Sequence, residues 1–252
     1  MTRRIARIRW VAFYCLSFVV FGAVGLLLNV ACVVFLALPA RERYGARVRA
    51  MIRRLFGAWL AWHHATGVFC IEWEGFETEV LQPGTVYIAN HPTIVDATFI
   101  LARLPDAICI FKPSLMRNPA VGPAAAMAGY VRGDTGIDLI KAAAERVGMG
   151  QSLLVFPEGT RTQPGTALGK MRPGFALIAD RAKAPVRLIV IQASPGIGAR
   201  GVPWWPAPRV WPGRLRLTLD RTWPYEPGRP AAELTQAVES RICEVLGERN
   251  PK

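Results

Sequence analysis

The sequence predicts an α/β domain with a mainly parallel mixed sheet and flanking helices, preceded by an N-terminal membrane-embedded helical segment. Three observations carry this. Short apolar runs alternate with helix-period stretches from about residue 70 onward, as strand–helix repeats of a parallel sheet require. A long uncharged apolar run lies near the N-terminus, and the arginines concentrate around it. The formal net charge is +13 although 52% of residues are hydrophobic, a pairing that suits a membrane surface. The length of 252 residues suits one domain plus an appendage. We divide the chain into an anchor and basic amphipathic helix, residues 1–68, and an α/β domain, residues 69–252.

Residues 1–54 hold ten arginines against one acid, Glu42, and so contribute +9 of the +13. No helix-turn-helix, zinc or RNA-recognition signature accompanies that charge, which excludes nucleic acid as the expected partner. The uncharged run extends over 29 residues, Trp10 to Leu38. As one helix it is about 43 Å long, against a hydrocarbon core of about 30 Å. It is too long for a signal-peptide core, and "ALPARER" is a poor cleavage site, so the segment is expected to stay in the protein. Arginines flank it on both sides. A re-entrant hairpin breaking near Gly22–Gly25 keeps both flanks in the cytosol and is slightly favoured. A tilted single span keeps only one there.

Residues 46–64 follow with Val48, Met51, Ile52, Leu55, Trp59 and Trp62 at helical spacing and Arg47, Arg49, Arg53 and Arg54 in the first half. The pattern reads as an interfacial helix with tryptophans at headgroup depth. A core-packing helix with an arginine face is the alternative. His63 and His64 are adjacent, point to different faces and cannot share a metal, so neither is assigned a site. The five cysteines are scattered without a CxxC pair and fit a reducing compartment.

Strands are then expected at 85–89, 107–111, 152–156, 186–194 and 214–220, and helices at 93–104, 136–150, 174–184 and 231–247. The loop "GVPWWPAPRVWPG", 201–213, is either a packed connection or a second membrane contact.

Sites in open α/β sheets gather at the carboxyl ends of strands. Strand 85–89 ends at Asn90–His91, strand 107–111 at Lys112, and strand 152–156 in "PEGTR". Pro92 suits a first helical position, which places His91 at a helix cap and Asp96 about one and a half turns in. A carboxylate on Nδ1–H leaves Nε2 free as a base, and a helix N-terminus would disfavour imidazolium. No serine or cysteine is indicated as nucleophile, so the nucleophile is expected to be a substrate hydroxyl. Gly159 permits a turn whose N–H groups approach an anion, Arg161 offers a planar fork for phosphate, and Lys112 adds a point charge.

These blocks resemble those of the 1-acylglycerol-3-phosphate acyltransferases and related glycerolipid acyltransferases. "NHPTIVD" (90–96) is similar to their NHxxxxD block, "KPSLMRNPAVG" with "GYVR" (112–132) to the second, "FPEGTR" (156–161) to the third, and "APVRLIVI" (184–191) to the fourth. The resemblance covers roughly residues 70–225. It implies that His91 deprotonates an acceptor hydroxyl, which attacks the thioester of acyl-CoA or acyl-carrier protein, with Asp96 orienting His91. It also implies that Lys112, Arg161 and Arg132 hold the acceptor phosphate, with Glu158, Gly159 and Thr160 shaping the acceptor pocket. No metal or other cofactor is implied.

The implied acceptor is a lysophospholipid, foremost 1-acylglycerol-3-phosphate. Pro92–Thr93 after the histidine and Leu188 in the fourth block depart from the family pattern. They leave open lyso-ornithine lipid, other lysophospholipids or a specialised fatty-acid or polyketide product. A non-catalytic lipid-binding scaffold is a further alternative, against which the joint presence of His91, Asp96 and Glu158 speaks. The expected location is the inner cell membrane, on anionic lipid, with the catalytic domain on the cytosolic face.

Overall fold

The computed structural model describes residues 2–36, 41–76, 81–134, 136–194, 198–202 and 205–248. Eight α-helices and seven strands are formed by these residues. In chain order they are α1 (Thr2–Leu36), α2 (Gly45–Thr66), β1 (Phe69–Glu74), β2 (Val86–Ala89), α3 (Asp96–Arg103), β3 (Ala107–Phe111), α4 (Pro113–Met116), α5 (Gly122–Met127), β4 (Val131–Arg132), α6 (Ile137–Gly148), β5 (Ser152–Val155), α7 (Gly174–Ala182), β6 (Val186–Ala193), β7 (Gly213–Trp223) and α8 (Ala231–Glu248).

The strands form one sheet of order β1-β7-β6-β2-β5-β3-β4. Every neighbouring pair is parallel except β6 with β7, which is the mixed, mainly parallel sheet that the sequence predicts. The central strand β2 is buried throughout, as a strand covered on both faces must be. Its alternate residues separate two cores. Tyr87 and Ala89 face a cluster with Trp10, Tyr14, Trp59 and Phe99. Val86 and Ile88 face Ala143, Phe175, Ile178 and Val238. Helices α1 to α3 thus cover one face and α6 to α8 the other, through the two-residue period of a strand.

Three expectations need correction. Helix α1 runs without a break through Gly22 and Gly25, so the segment is not a hairpin; Ala37 and Leu38 lie outside the described residues. Asn29 fixes its course. Its Nδ2 donates to Ala120 O at 2.6 Å and to Gly25 O at 2.8 Å, while its Oδ1 accepts from Ala124 N at 2.8 Å. The last bond satisfies a free donor in the first turn of α5, which is why a polar side chain sits in the apolar run.

Helix α2 does not lie open as an interfacial helix. Trp59 is in the core and donates its indole N–H to Ser17 O. Arg49 is buried, with Nε and Nη2 on the two Asp106 oxygens and Nη1 on Ala128 O. Arg47, Arg53 and Arg54 remain exposed, so the core-packing reading with an arginine face describes α2. Helix α3 starts at Asp96 rather than at Pro92, because residues 91–95 make a turn instead. Strands β1 and the two-residue β4 escape the sequence pattern altogether: β1 has irregular burial, without the alternation that marks a strand.

Candidate active site

The parallel strands β6, β2, β5 and β3 end on one edge of the sheet, and the site is built there. Strand β2 ends at Ala89, and Asn90 takes over the pairing with its side chain. Its Nδ2 donates to Ile191 O and its Oδ1 accepts from Ile191 N, at 2.8 and 2.7 Å. The amide imitates a peptide unit of the ladder and releases the main chain to turn. Sequence reasoning missed this role, although a buried Asn at a strand end must have such partners.

His91 follows and is held by its main chain from both sides. Its N–H donates to Glu158 Oε1 at 2.9 Å, and its carbonyl accepts from Thr162 N at 2.8 Å. The imidazole lies on the Phe156 ring, 4.1 Å between centroids and 23° between planes. Nδ1 is 2.8 Å from Asp96 Oδ2, and Nε2 makes no hydrogen bond to the described residues. The imidazole is 19% exposed and the carboxylate is fully buried. A donor bond to that carboxylate requires the proton on Nδ1, which leaves the Nε2 lone pair for a substrate.

Thr93 sets the carboxylate. Its N–H donates to Asp96 Oδ2 at 2.7 Å, and its hydroxyl donates to Asp96 Oδ1. Asp96 therefore accepts three bonds from a five-residue turn. His91 opens that turn and is not at a helix cap, so the helix-terminus argument does not apply. Orientation by the buried carboxylate replaces it.

Residues Phe156 to Gly159 form a β-turn closed by Gly159 N to Phe156 O, 2.9 Å. Gly159 has φ +67, where a side chain is strained. Glu158 is buried and fully occupied by the protein. Besides His91 N, it accepts from Thr162 Oγ1 at 2.9 Å and from Gly169 N at 2.8 Å. Its carboxylate thus braces the turn against His91. A Cβ on Gly169 would come within 2.5 Å of Glu158 Oε2, so a side chain there would displace the carboxylate. No spacing rule points to Gly169; only the fold brings it to the turn.

The predicted cations divide. Arg161 Nη1 donates to Gly198 O at 2.6 Å and Ala199 O at 3.1 Å. Thr160 is half-buried in the same turn, and Lys112 is exposed just before α4. Lys112 ends β3, two strands from β2, or roughly 10 Å along the sheet. Arg132 ends β4, one strand further out, and pairs with Asp134 at 3.0 Å. The structure brings His91, Asp96, Glu158, Gly159 and Arg161 together and leaves Arg132 at the margin. Among the described residues no His, Cys, Asp and Glu group could hold a metal ion.

Comparison with known proteins agrees with this geometry. The acyltransferase family model matches residues 70–192, a span that contains every residue of the cluster. A 1-acyl-sn-glycerol-3-phosphate acyltransferase of Pseudomonas aeruginosa is 26% identical over 85% of this chain and 82% of its own. A chloroplast 1-acyl-sn-glycerol-3-phosphate acyltransferase of Brassica napus is 32% identical over 46% of this chain and 36% of its own. One of Helicobacter pylori is 28% identical over 41% and 46%. These last two alignments span less than half the length of the relatives. The crystal structure of a 1-acyl-sn-glycerophosphate acyltransferase from Thermotoga maritima superposes over the whole of both chains with a TM-score of 0.71 at 19% identity, a likeness of fold. The matched span, residues 70–192, holds the His91–Asp96 pair and its supporting turn, and over it this chain is similar to the acyltransferase family.

Proposed function

We propose that the protein transfers a fatty acyl group from acyl-CoA or acyl-carrier protein to the free hydroxyl of a lysophospholipid, foremost 1-acylglycerol-3-phosphate, giving phosphatidic acid. One observation carries the reading. An imidazole is fixed through Nδ1 by a buried carboxylate, with Nε2 unengaged at the carboxyl edge of the sheet. Among the described residues no serine or cysteine hydrogen-bonds that imidazole, which leaves the acceptor hydroxyl as nucleophile.

His91 Nε2 takes the hydroxyl proton as the oxygen attacks the thioester carbonyl. Asp96 stabilises the imidazolium that forms. The tetrahedral intermediate expels the thiolate, which recovers the proton from Nε2, so that the products are an ester and a free thiol. Cations at the strand ends, Lys112 and Arg161 among them, offset the phosphate charge. The curated relatives named above as 1-acyl-sn-glycerol-3-phosphate acyltransferases support this acceptor.

Residues 1–68 act in this reading as a membrane anchor. Helix α1 is long and apolar enough to cross a bilayer, and only 11% of its most apolar window is buried. Exposed Arg47, Arg53 and Arg54 face anionic headgroups of the inner membrane, with the domain of residues 69–252 on the cytosolic side. The test is acyl transfer by detergent-solubilised protein and its His91→Ala variant, given lysophosphatidic acid and a long-chain acyl-CoA. Phosphatidic acid is read by mass spectrometry. Wild-type turnover with a loss of at least about a thousandfold in the variant is expected. Equal product from both would sink the mechanism.

A further inference from the structure

The proline- and tryptophan-rich segment before β7 has packed ends and exposed residues between them. At its start, Arg161 Nη1 donates to Gly198 O and Ala199 O. Gly198 also lies against Ile94, in the turn that holds His91 and Asp96: an added Cβ at Gly198 would stand 2.5 Å from Ile94 Cγ2. At its end, the Arg7 guanidinium donates to Pro208 O at 2.5 Å. The same guanidinium lies over the Trp10 and Trp211 rings, 4.7 and 5.8 Å from their centroids. The segment is therefore fastened to the candidate site at one end and to the first turns of α1 at the other.

Between those fastenings Val202, Trp205 and Val210 are 39, 55 and 49% exposed. A single exposed apolar residue is ordinary; three on one stretch with clamped ends mark a contact surface. Arg200 and Arg209 are exposed beside them, and no acidic residue occurs between Asp180 and Asp220. Tryptophan and aliphatic side chains bordered by arginines match the boundary of an anionic bilayer, where the indole sits at headgroup depth and the cations meet lipid phosphates. Continuity points the same way. Ile5 and Ile8 flank Arg7 on α1 and are exposed, with exposed Arg4 and Arg9 next to them. The pattern of the segment is thus repeated on the part of the helix to which it is clamped.

We infer that Arg200, Val202, Trp205, Arg209 and Val210 form a second lipid-contacting surface, through which the α/β domain itself meets an anionic bilayer beside the candidate site. The apolar side chains enter the boundary between headgroups and acyl chains, and the two arginines face lipid phosphates. The inference takes its partner from the membrane reading of residues 1–68 and extends that reading to the far part of the chain.

The test reads lipid contact at single positions of the full-length protein and needs no turnover. In a background with the exposed Cys70 and Cys243 changed to serine, Val202→Cys, Val210→Cys, Val30→Cys in α1 and Glu239→Cys in α8 each receive an environment-sensitive fluorophore. The background without a new cysteine supplies the blank. Each protein is reconstituted into phosphatidylcholine vesicles with or without phosphatidylglycerol, and quenching by lipid that carries a nitroxide on its acyl chain is measured. Strong quenching at positions 202 and 210 is expected in the anionic vesicles, with none at position 239, which is exposed on the helix that covers the other face of the sheet. Arg200→Gln together with Arg209→Gln should lower the docked-to-free ratio at position 210 about tenfold or more, and so should vesicles without phosphatidylglycerol. Quenching indifferent to both changes overturns the assignment to anionic lipid. No quenching at 202 or 210 overturns the surface, and quenching at 30 in the same vesicles then keeps α1 as the anchor. Quenching at 202 and 210 but not at 30 keeps the surface and removes the anchor reading of α1. A signal at 202 and 210 that rises with protein concentration and is untouched by nitroxide lipid assigns the patch to a second copy of the chain, which overturns the proposal. Equal quenching at all four positions does so too.

Discussion

His91 and His63 differ in what surrounds the ring, and that difference separates a candidate base from a packing residue. His91 has a carboxylate at Nδ1 and an unengaged Nε2. His63 is fully buried among Trp59, Phe69 and Phe99, and neither ring nitrogen has a hydrogen-bond partner among the described residues. Burial pushes its pKa down to about 3. An unfolded histidine titrates near 6.5, so between roughly pH 6.5 and pH 3 the unfolded chain binds the extra proton. The sign follows: stability contributed by neutral His63 is present above pH 6.5 and falls with pH, by about 1.4 kcal/mol per unit within that window. His63→Leu is therefore expected to gain melting temperature over wild type at pH 5, with a smaller gain at pH 7.5. Parallel melting curves at both pH values would show that His63 does not carry the acid sensitivity. The sequence exposed the His91–Asp96 spacing, but it could not show that Thr93 and Glu158 are what hold the pair, because those contacts need a turn whose course is set by β2 and β5.

At the scale of elements, the clearest departure is α1. Hydropathy and arginine flanks describe how a segment partitions into lipid, and they are silent on which of its faces meets protein. Asn29 resolves that, as a buried amide which links α1 to the start of α5. Asn29→Ala leaves Ala124 N and Ala120 O unpaired at a packed contact, at a cost of about 1–3 kcal/mol. That corresponds to a drop of several degrees at about 2–4 °C per kcal/mol. Val30→Ala, one residue along and exposed, is the control and should change little. An equal melting temperature for wild type and Asn29→Ala would mean that α1 docks without that link. Helix α2 teaches the same lesson: its pattern reads as an interfacial helix, yet Arg49 faces inward because Asp106 and Ala128 O satisfy it there. Strands β2, β3, β5, β6 and β7 were legible as apolar runs, whereas β1 and β4 were not, since edge strands lack two-sided burial.

For the molecule as a whole, the three layers place a long apolar helix on the same core as the sheet that carries the candidate site. Trp10 and Tyr14 of α1 sit in one cluster with Phe69, Tyr87 and Ile191, while Val19, Leu27, Val30 and Val34 of the same helix are exposed. A protein lacking residues 1–40 is expected to lose membrane association in a salt wash. It should also melt lower and bind a hydrophobic dye, because Trp59 and Phe69 lose their cover. Retention on washed membranes would exclude α1 as the anchor, and unchanged melting would exclude its part in the core.

The sequence by itself determined the sheet class, the apolar helix and the two blocks that meet at the site. Periodicity, hydropathy and short motifs are local properties that survive in one dimension. Only the tertiary structure decided that α1 is continuous and that Arg49 and Glu158 turn inward. Each of these depends on which partner satisfies a polar group once water is removed: Asp106 for Arg49, His91 N for Glu158 and Ala124 N for Asn29 lie 57, 67 and 95 residues away along the chain.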